Sequence, residues 1–117
     1  MNLAIHYMYR DGANWKEFTH VIFTNPRNLL VADVEKVLFS CLVDGDKFVA
    51  ENVGLPTAYL DDRDDPDAHG YHQFLSVKET EKEATDERSI TRLLIDFAAE
   101  NLRGWKPVRK TSEVSHV

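Results

Sequence analysis

Two segments of the chain place apolar residues at three- and four-residue spacing, so each segment is expected to form a helix with one apolar stripe. The first runs from about Leu30 to Val43 and is followed by Gly45, whereas the second begins after a Thr85 or Asp86 cap and ends at Gly104. The first stripe contains Leu30, Val31, Val34, Val37, Leu38, Cys41 and Leu42, and the second contains Ile90, Leu93, Leu94, Phe97, Ala98 and Leu102. A helix of this kind buries its stripe against one neighbouring layer, so the rest of the chain has to supply an apolar surface.

The N-terminal part of the chain is β-prone. Residues 3–9 alternate between two faces, with Leu3, Ile5, Tyr7 and Tyr9 on one and Ala4, His6 and Met8 on the other. The turn residues Asp11, Gly12 and Asn14 follow, and a second β-prone run extends from Trp15 to Thr24 before Asn25-Pro26 ends it. These features predict a β-hairpin.

Three shorter β-prone segments lie between the two helices, at residues 47–50, 57–60 and 71–78. The element order ββαβββα predicts an α+β fold, in which an antiparallel sheet of four to five strands carries both amphipathic helices on one face. The opposite sheet face then carries His6, Met8, Phe18, His20 and Ile22, or the complementary set. Because either set leaves apolar surface outside the core, this face is a candidate homodimer interface.

The composition is typical of one globular domain. The chain has 117 residues, of which 43% are apolar, and this is enough for a single core. We expect a single α+β domain over residues 1–104 and a flexible basic tail over residues 105–117, with Trp105 attaching the start of the tail to the domain. Because no apolar run is long enough for a leader or a membrane span, and Cys41 is the one cysteine, we expect a cytoplasmic protein without a membrane partner.

Charge is unevenly distributed along the chain. Residues 44–87 contain four basic and thirteen acidic residues, whereas residues 88–117 contain six basic and three acidic residues. The acidic excess is greatest in the tract 61–67, which contains Asp61, Asp62, Asp64, Asp65 and Asp67 and is followed by His69 and His72. Such a tract can attract a metal ion or a basic partner, or can keep the protein soluble.

The acidic tract does not match a calcium-binding loop. Counted from Asp65 at position 1, an EF-hand requires an oxygen ligand at position 5 and glutamate at position 12, where this chain has His69 and Ser76. An irregular site for Ca²⁺ or Mg²⁺ stays open, because clustered carboxylates bind these ions weakly even without the motif. A transition-metal site of His69, His72 and Asp67 is the second metal hypothesis, although the His-x-x-His spacing is short for two ligands. Surface or capping histidines are the alternative interpretation.

Other chemistries find little support in the sequence. No Gly-x-Ser-x-Gly or phosphate-binding glycine pattern is present, and neither Ser40 nor Cys41 has a histidine nearby in sequence. The net charge of −6 argues against direct nucleic-acid binding, because contact with phosphates requires a basic surface. We therefore expect no catalytic residue, no cofactor and no direct nucleic-acid partner.

The predicted hairpin and two later segments resemble the sequences of a group of proteins. The stretch Tyr9-Arg10-Asp11-Gly12-Ala13-Asn14-Trp15-Lys16, followed by residues 21–26 and 72–76, resembles a group of small uncharacterised bacterial and phage proteins over roughly the first 100 residues. The resemblance implies a small accessory protein with the same element order. It implies no ligand, cofactor or catalytic residue.

These observations favour a small non-catalytic binding or regulatory module that uses its acidic surface to engage a protein partner. The expected partner-binding residues are the five aspartates of the tract and Trp15, which lies beside the hairpin turn. A sharper form of the hypothesis is an anti-defence inhibitor that mimics nucleic acid, with Glu79, Glu81 and Glu83 joining the tract against a basic nucleic-acid-binding protein. The alternative is a metal-assisted hydrolase that uses His69, His72 and neighbouring aspartates.

Overall fold

The computed structural model describes residues 1–10, 14–58 and 70–107. The elements in chain order are strand β1 (Asn2–Arg10), strand β2 (Lys16–Phe23), helix α1 (Val31–Ser40), strand β3 (Lys47–Phe48), a 3₁₀ helix (Ala50–Val53), strand β4 (His72–Thr80) and helix α2 (Ile90–Arg103). The α+β fold and the N-terminal hairpin pairing are as predicted. The predicted strand at 57–60 is absent at Thr57 and Ala58, and its remaining two residues lie outside the described ranges.

The four strands form one curled antiparallel sheet in the order β2-β1-β4-β3. Strand β1 lies next to β2 with regular pairing from Leu3 opposite Phe23 to Arg10 opposite Lys16. Its pairing with β4 shifts register between His6 and Tyr7, so that Leu75 is an extra residue in β4. Such a bulge bends the strand and increases its twist, which curls the sheet around the helices.

Both helices cover the same face of the sheet. The buried residues Val34 and Leu38 of α1 and Ile90, Leu93 and Phe97 of α2 share one core with the strands. The strand residues of this core are Leu3, Ile5, Tyr7, Val21, Phe23, Phe48, Phe74 and Val77. The other face carries His6, Met8, Phe18, His20 and Ile22, so the register decides between the two sets that the sequence left open. Met8 and Ile22 on that face are nevertheless buried, so only part of the predicted apolar surface is exposed.

Helix α1 also contacts the edge of β4 through a polar side chain. Strand β3 has only two residues, so among the described residues β4 has no strand partner on its outer edge beyond Phe74. The Glu35 carboxylate accepts a hydrogen bond from the Val77 amide at 3.0 Å. The helix therefore satisfies a backbone donor that would otherwise lie at an unpaired sheet edge.

Helix α2 begins later than the sequence indicates. Its N-cap is Ser89, whose hydroxyl accepts a hydrogen bond from the Arg92 amide at 3.3 Å, so the predicted cap at Thr85 or Asp86 is wrong. Thr85 lies before the helix, and its hydroxyl instead accepts a hydrogen bond from the Ile22 amide at 2.9 Å. The residue that local capping rules select thus forms a long-range hydrogen bond with β2.

Trp105 packs with the domain although it follows α2. Its indole nitrogen donates a hydrogen bond to the Cys41 carbonyl at 2.8 Å, and its ring contacts Phe97 at a centroid distance of 5.4 Å. The Lys106 amide donates to the Asn52 side chain at 2.9 Å, and Cys41 is buried as predicted. The rest of the predicted tail, 108–117, lies outside the described residues. In the part of the chain that is described, no helix combines the length and hydrophobicity needed to cross a bilayer.

Replacing Trp105 with phenylalanine tests this attachment. Trp105→Phe keeps an aromatic ring but removes the indole donor, so we expect the free energy of unfolding to fall by about 1 kcal/mol in urea titrations. Trp15→Phe is the matched control, because Trp15 is 70% exposed and its replacement should change stability by less than about 0.5 kcal/mol. Equal effects of the two substitutions would show that Trp105 is not anchored.

Candidate functional site

The five aspartates predicted to bind a partner, Asp61, Asp62, Asp64, Asp65 and Asp67, lie outside the described residues, together with His69. Their role remains a prediction. Of the predicted site residues, the structure describes Trp15 and His72. The two lie at different places in the sheet, since Trp15 precedes β2 and His72 is the first residue of β4.

His72 is a buried residue with a structural hydrogen bond. Its side chain is 1% exposed and lies among the rings of Tyr7, Tyr9 and Phe48. Its Nε2 accepts a hydrogen bond from the Ala58 amide at 2.8 Å, so the ring proton of the neutral imidazole is on Nδ1. A metal could bind Nε2 only if this hydrogen bond were broken. Among the described residues, no group of three His, Cys, Asp or Glu side chains is placed to hold a metal ion.

Tyr7 fixes the same segment onto the sheet. Its hydroxyl donates a hydrogen bond to the Pro56 carbonyl at 2.6 Å, two residues before the His72 partner Ala58. Burial raises the pKa of Tyr7 far above its ordinary value of 10.0, so the phenol remains a hydrogen-bond donor at physiological pH. Both contacts hold the chain that follows the 3₁₀ helix against the sheet.

An acidic surface is present in the described part of the chain, on the end of β4 and the segment that follows it towards α2. We call residues 79–87 the acidic connector. It carries four exposed carboxylates, on Glu79, Glu81, Glu83 and Glu87, and within the described residues none of the four forms an ion pair. The sequence predicts that Glu79, Glu81 and Glu83 belong to an acidic surface, and all three side chains are exposed.

The acidic connector is fixed at both ends. Near β4, the Asn2 side chain donates a hydrogen bond to the Lys82 carbonyl at 3.0 Å. Near α2, the Thr85 amide donates to the Ile22 carbonyl at 2.8 Å while the Thr85 hydroxyl accepts from the Ile22 amide. The segment therefore runs from β4 across the start of β1 to the outer edge of β2.

Arg88 anchors the end of the acidic connector, although no sequence pattern predicts this role. Its guanidinium donates two hydrogen bonds to the Asp86 carboxylate, at 3.0 and 2.7 Å, and one to Asp96 at 3.1 Å. Two further donors reach the carbonyls of Val53 and Gly54 at the end of the 3₁₀ helix. All five N–H donors of the side chain are thus used within the protein. No sequence signal marked this residue, since its partners are 2, 8 and more than 30 positions away.

The charges of the Arg88 network stabilise one another. Hydrogen bonds from the Arg88 side chain lower the pKa of Asp86 below its ordinary value, outweighing the opposing effect of burial. A shallow cavity of about 460 Å³ lies beside the network and is lined by Gly54, Thr85, Asp86, Glu87 and Arg88. Because every Arg88 donor is already engaged, this guanidinium is not available to bind an anionic ligand there.

Two aromatic side chains are exposed at the hairpin end of β2. Trp15 is 70% exposed, as expected from its position beside the turn, and Phe18 is 63% exposed. The backbone N–H and C=O groups of Ile22 point away from β1, since both form hydrogen bonds with Thr85. Because this direction alternates along a strand, the N–H and C=O groups of Lys16, Phe18 and His20 also point away from β1. Among the described residues these three make no backbone hydrogen bond on that side, so half of this sheet edge is open.

Comparison of the chain with protein-family models, with curated proteins and with solved structures finds no match. The resemblance of the hairpin therefore stays a prediction.

The Arg88 network predicts an acid-sensitive contribution to stability. Asp86 has a lower pKa in the folded than in the unfolded chain, so its contribution is present above about pH 4 and is lost as the pH falls through the folded-state value. We expect Asp86→Asn to lower the free energy of unfolding by about 2 kcal/mol at pH 7. The difference from the unmodified protein should shrink as urea titrations are repeated from pH 5 to pH 3.

Asp44→Asn is the control for this experiment. Asp44 is exposed and has a φ of 54°, a conformation that asparagine also adopts readily. Its replacement should leave stability nearly unchanged over the same pH range. A constant difference between Asp86→Asn and the unmodified protein down to pH 3 would contradict the role assigned to the Asp86 carboxylate.

Proposed function

We propose that this chain is a small non-catalytic module that binds a basic protein partner through its acidic surface. The observation that carries the proposal is the acidic connector, where four exposed carboxylates have no ion-pair partner in the described part of the chain. Carboxylates left unneutralised on a surface attract positively charged proteins and accelerate their association.

The fixed backbone of the acidic connector supports this role. Hydrogen bonds to Asn2 and Ile22 and the Arg88 network hold the segment against the sheet before any partner arrives. A segment that is already held in place loses less conformational entropy on binding than a free one. The five aspartates of the acidic tract 61–67 would add to the negative electrostatic field.

Trp15 is the proposed apolar anchor of the interface. Exposed tryptophan is among the residue types that contribute most to binding, because it buries a large area with little loss of side-chain freedom. Trp15 lies seven residues before Ile22, which is where the acidic connector meets β2, a distance of roughly 23 Å along an extended strand. One interface of ordinary size, about 800 Å² on each partner, can cover both features.

A nucleic-acid-binding protein is the partner class that we propose. Such proteins carry basic surfaces that neutralise phosphates, and a surface of closely spaced carboxylates can compete with phosphates for them. The chain would then act as a competitor of nucleic acid and would itself bind neither DNA nor RNA.

Neutralising the acidic connector tests the proposal. Immobilised protein is used to capture basic nucleic-acid-binding proteins from a lysate, and the captured proteins are then assayed for displacement of a DNA duplex. We expect Glu79→Gln, Glu81→Gln and Glu83→Gln combined to abolish most capture. Salt should release the partner, since the Debye length falls from about 10 Å at 0.1 M to about 3 Å at 1 M.

The matched control is the combination of Asp33→Asn, Asp44→Asn and Asp46→Asn. It removes the same charge from solvent-accessible positions that lie outside both the acidic connector and β2, and it should leave capture nearly intact. Equal loss of capture in both triple variants would show that net charge, and not the acidic connector, determines binding. Capture that is unaffected by salt would contradict the electrostatic mechanism.

Trp15→Ala tests the apolar anchor separately. We expect it to weaken binding to the captured partner by at least about 1 kcal/mol, measured by titration calorimetry, because truncation of a buried interfacial tryptophan is costly. Thermal unfolding should stay almost unchanged, since the side chain is exposed in the free protein. Unchanged affinity would place the interface away from the hairpin end of β2.

A further inference from the structure

Two histidines face each other across the first two strands. His6 of β1 and His20 of β2 are directly paired in the register of the sheet, and both side chains lie on the face that is not covered by the helices. Their ring centroids are 5.0 Å apart and the ring planes differ by 24°. The two imidazoles therefore lie side by side on paired strands.

The ring nitrogens of this pair are not engaged by the protein. Neither histidine makes a side-chain hydrogen bond or ion pair within the described residues. This distinguishes them from His72, whose Nε2 accepts a hydrogen bond from a backbone amide. His20 is exposed and His6 is half-buried, so the pair can be reached from solvent.

The surroundings favour uncharged imidazole at His6. Burial lowers the pKa of His6, and repulsion from His20 and from Lys78 lowers it further. Neutral imidazole is the form that binds metal ions, because a protonated nitrogen has no lone pair to donate.

We propose that His6 and His20 form a two-imidazole binding site for a divalent transition-metal ion of the class that prefers nitrogen ligands, such as Zn²⁺ or Ni²⁺. Imidazole nitrogens bind these ions at about 2.0–2.1 Å, and two rings on facing positions of adjacent strands can reach one ion by side-chain rotation. The remaining coordination positions are left to water or to a ligand from outside the chain. The net charge of −6 favours attraction of a cation to the protein.

Lys78 is the nearest feature that opposes binding. It belongs to β4 and lies opposite Ala4, two residues from His6 on the same sheet face. Its positive charge disfavours a second cation beside His6, in the same way that it disfavours protonation of the ring. Removing the Lys78 charge should therefore strengthen metal binding. A pair of histidines with only a structural role would give no such increase.

The test is a calorimetric titration of the full chain with Zn²⁺, repeated with Ni²⁺. We expect one ion per chain, with affinity lowered at least about tenfold by His20→Asn and by His6→Ala, since each removes a ligand. Lys78→Gln should raise the affinity. In nitrogen NMR spectra, the ring resonances of His6 and His20 should shift together on addition of the metal.

His20→Asn is the decisive variant, because His20 is exposed and its replacement should leave the fold intact by circular dichroism. His69→Ala is the control and should bind the ion as tightly as the unmodified chain. The proposal is overturned by the absence of saturable binding at millimolar Zn²⁺, by unchanged affinity in His20→Asn, or by loss of binding in His69→Ala. None of these outcomes bears on capture of a basic protein by the acidic connector.

Discussion

The arrangement of the domain depends on the Arg88 side chain, which saturates its five donors on groups from three separate segments. Asp86 belongs to the acidic connector, Asp96 to α2, and the two carbonyls end the 3₁₀ helix. The guanidinium also lies 5.5 Å from the centre of the Phe23 ring, on the edge strand β2. A guanidinium can join groups in this way because its five fixed donors reach two carboxylates and two carbonyls at once, which the three donors of a lysine ammonium cannot do.

This network links the fold to the proposed binding surface. Thr85, which precedes Arg88, covers the C-terminal half of the outer edge of β2 at Ile22. The carboxylates of the acidic connector extend from there into solvent. The N-terminal half of the same edge has no backbone partner among the described residues, and the exposed side chains of Trp15 and Phe18 lie at this end. One edge strand thus presents charge at one end and apolar area at the other, a combination that suits recognition of a protein surface.

Much of the fold follows from local sequence patterns. The apolar stripes correctly identified Val34 and Leu38 in α1 and Leu93 and Phe97 in α2, because burial of an amphipathic face requires only periodic spacing. The start of α2 was predicted wrongly, since Thr85 fits a local capping rule but bonds Ile22 instead. The 3₁₀ helix was not predicted, because its four residues carry no periodicity and its end is held by distant donors from Arg88.

The alternation of β1, the two helical stripes and the acidic excess between them can all be read from the sequence, since each depends on the order of residues along a short stretch. The packing of the folded chain sets which residues act together. It placed His6 against His20, buried His72 on the Ala58 amide, and left Trp15 and the carboxylates of the acidic connector at the surface. These pairings join positions that are 14 or more apart in the chain, and only strand register and packing fix them.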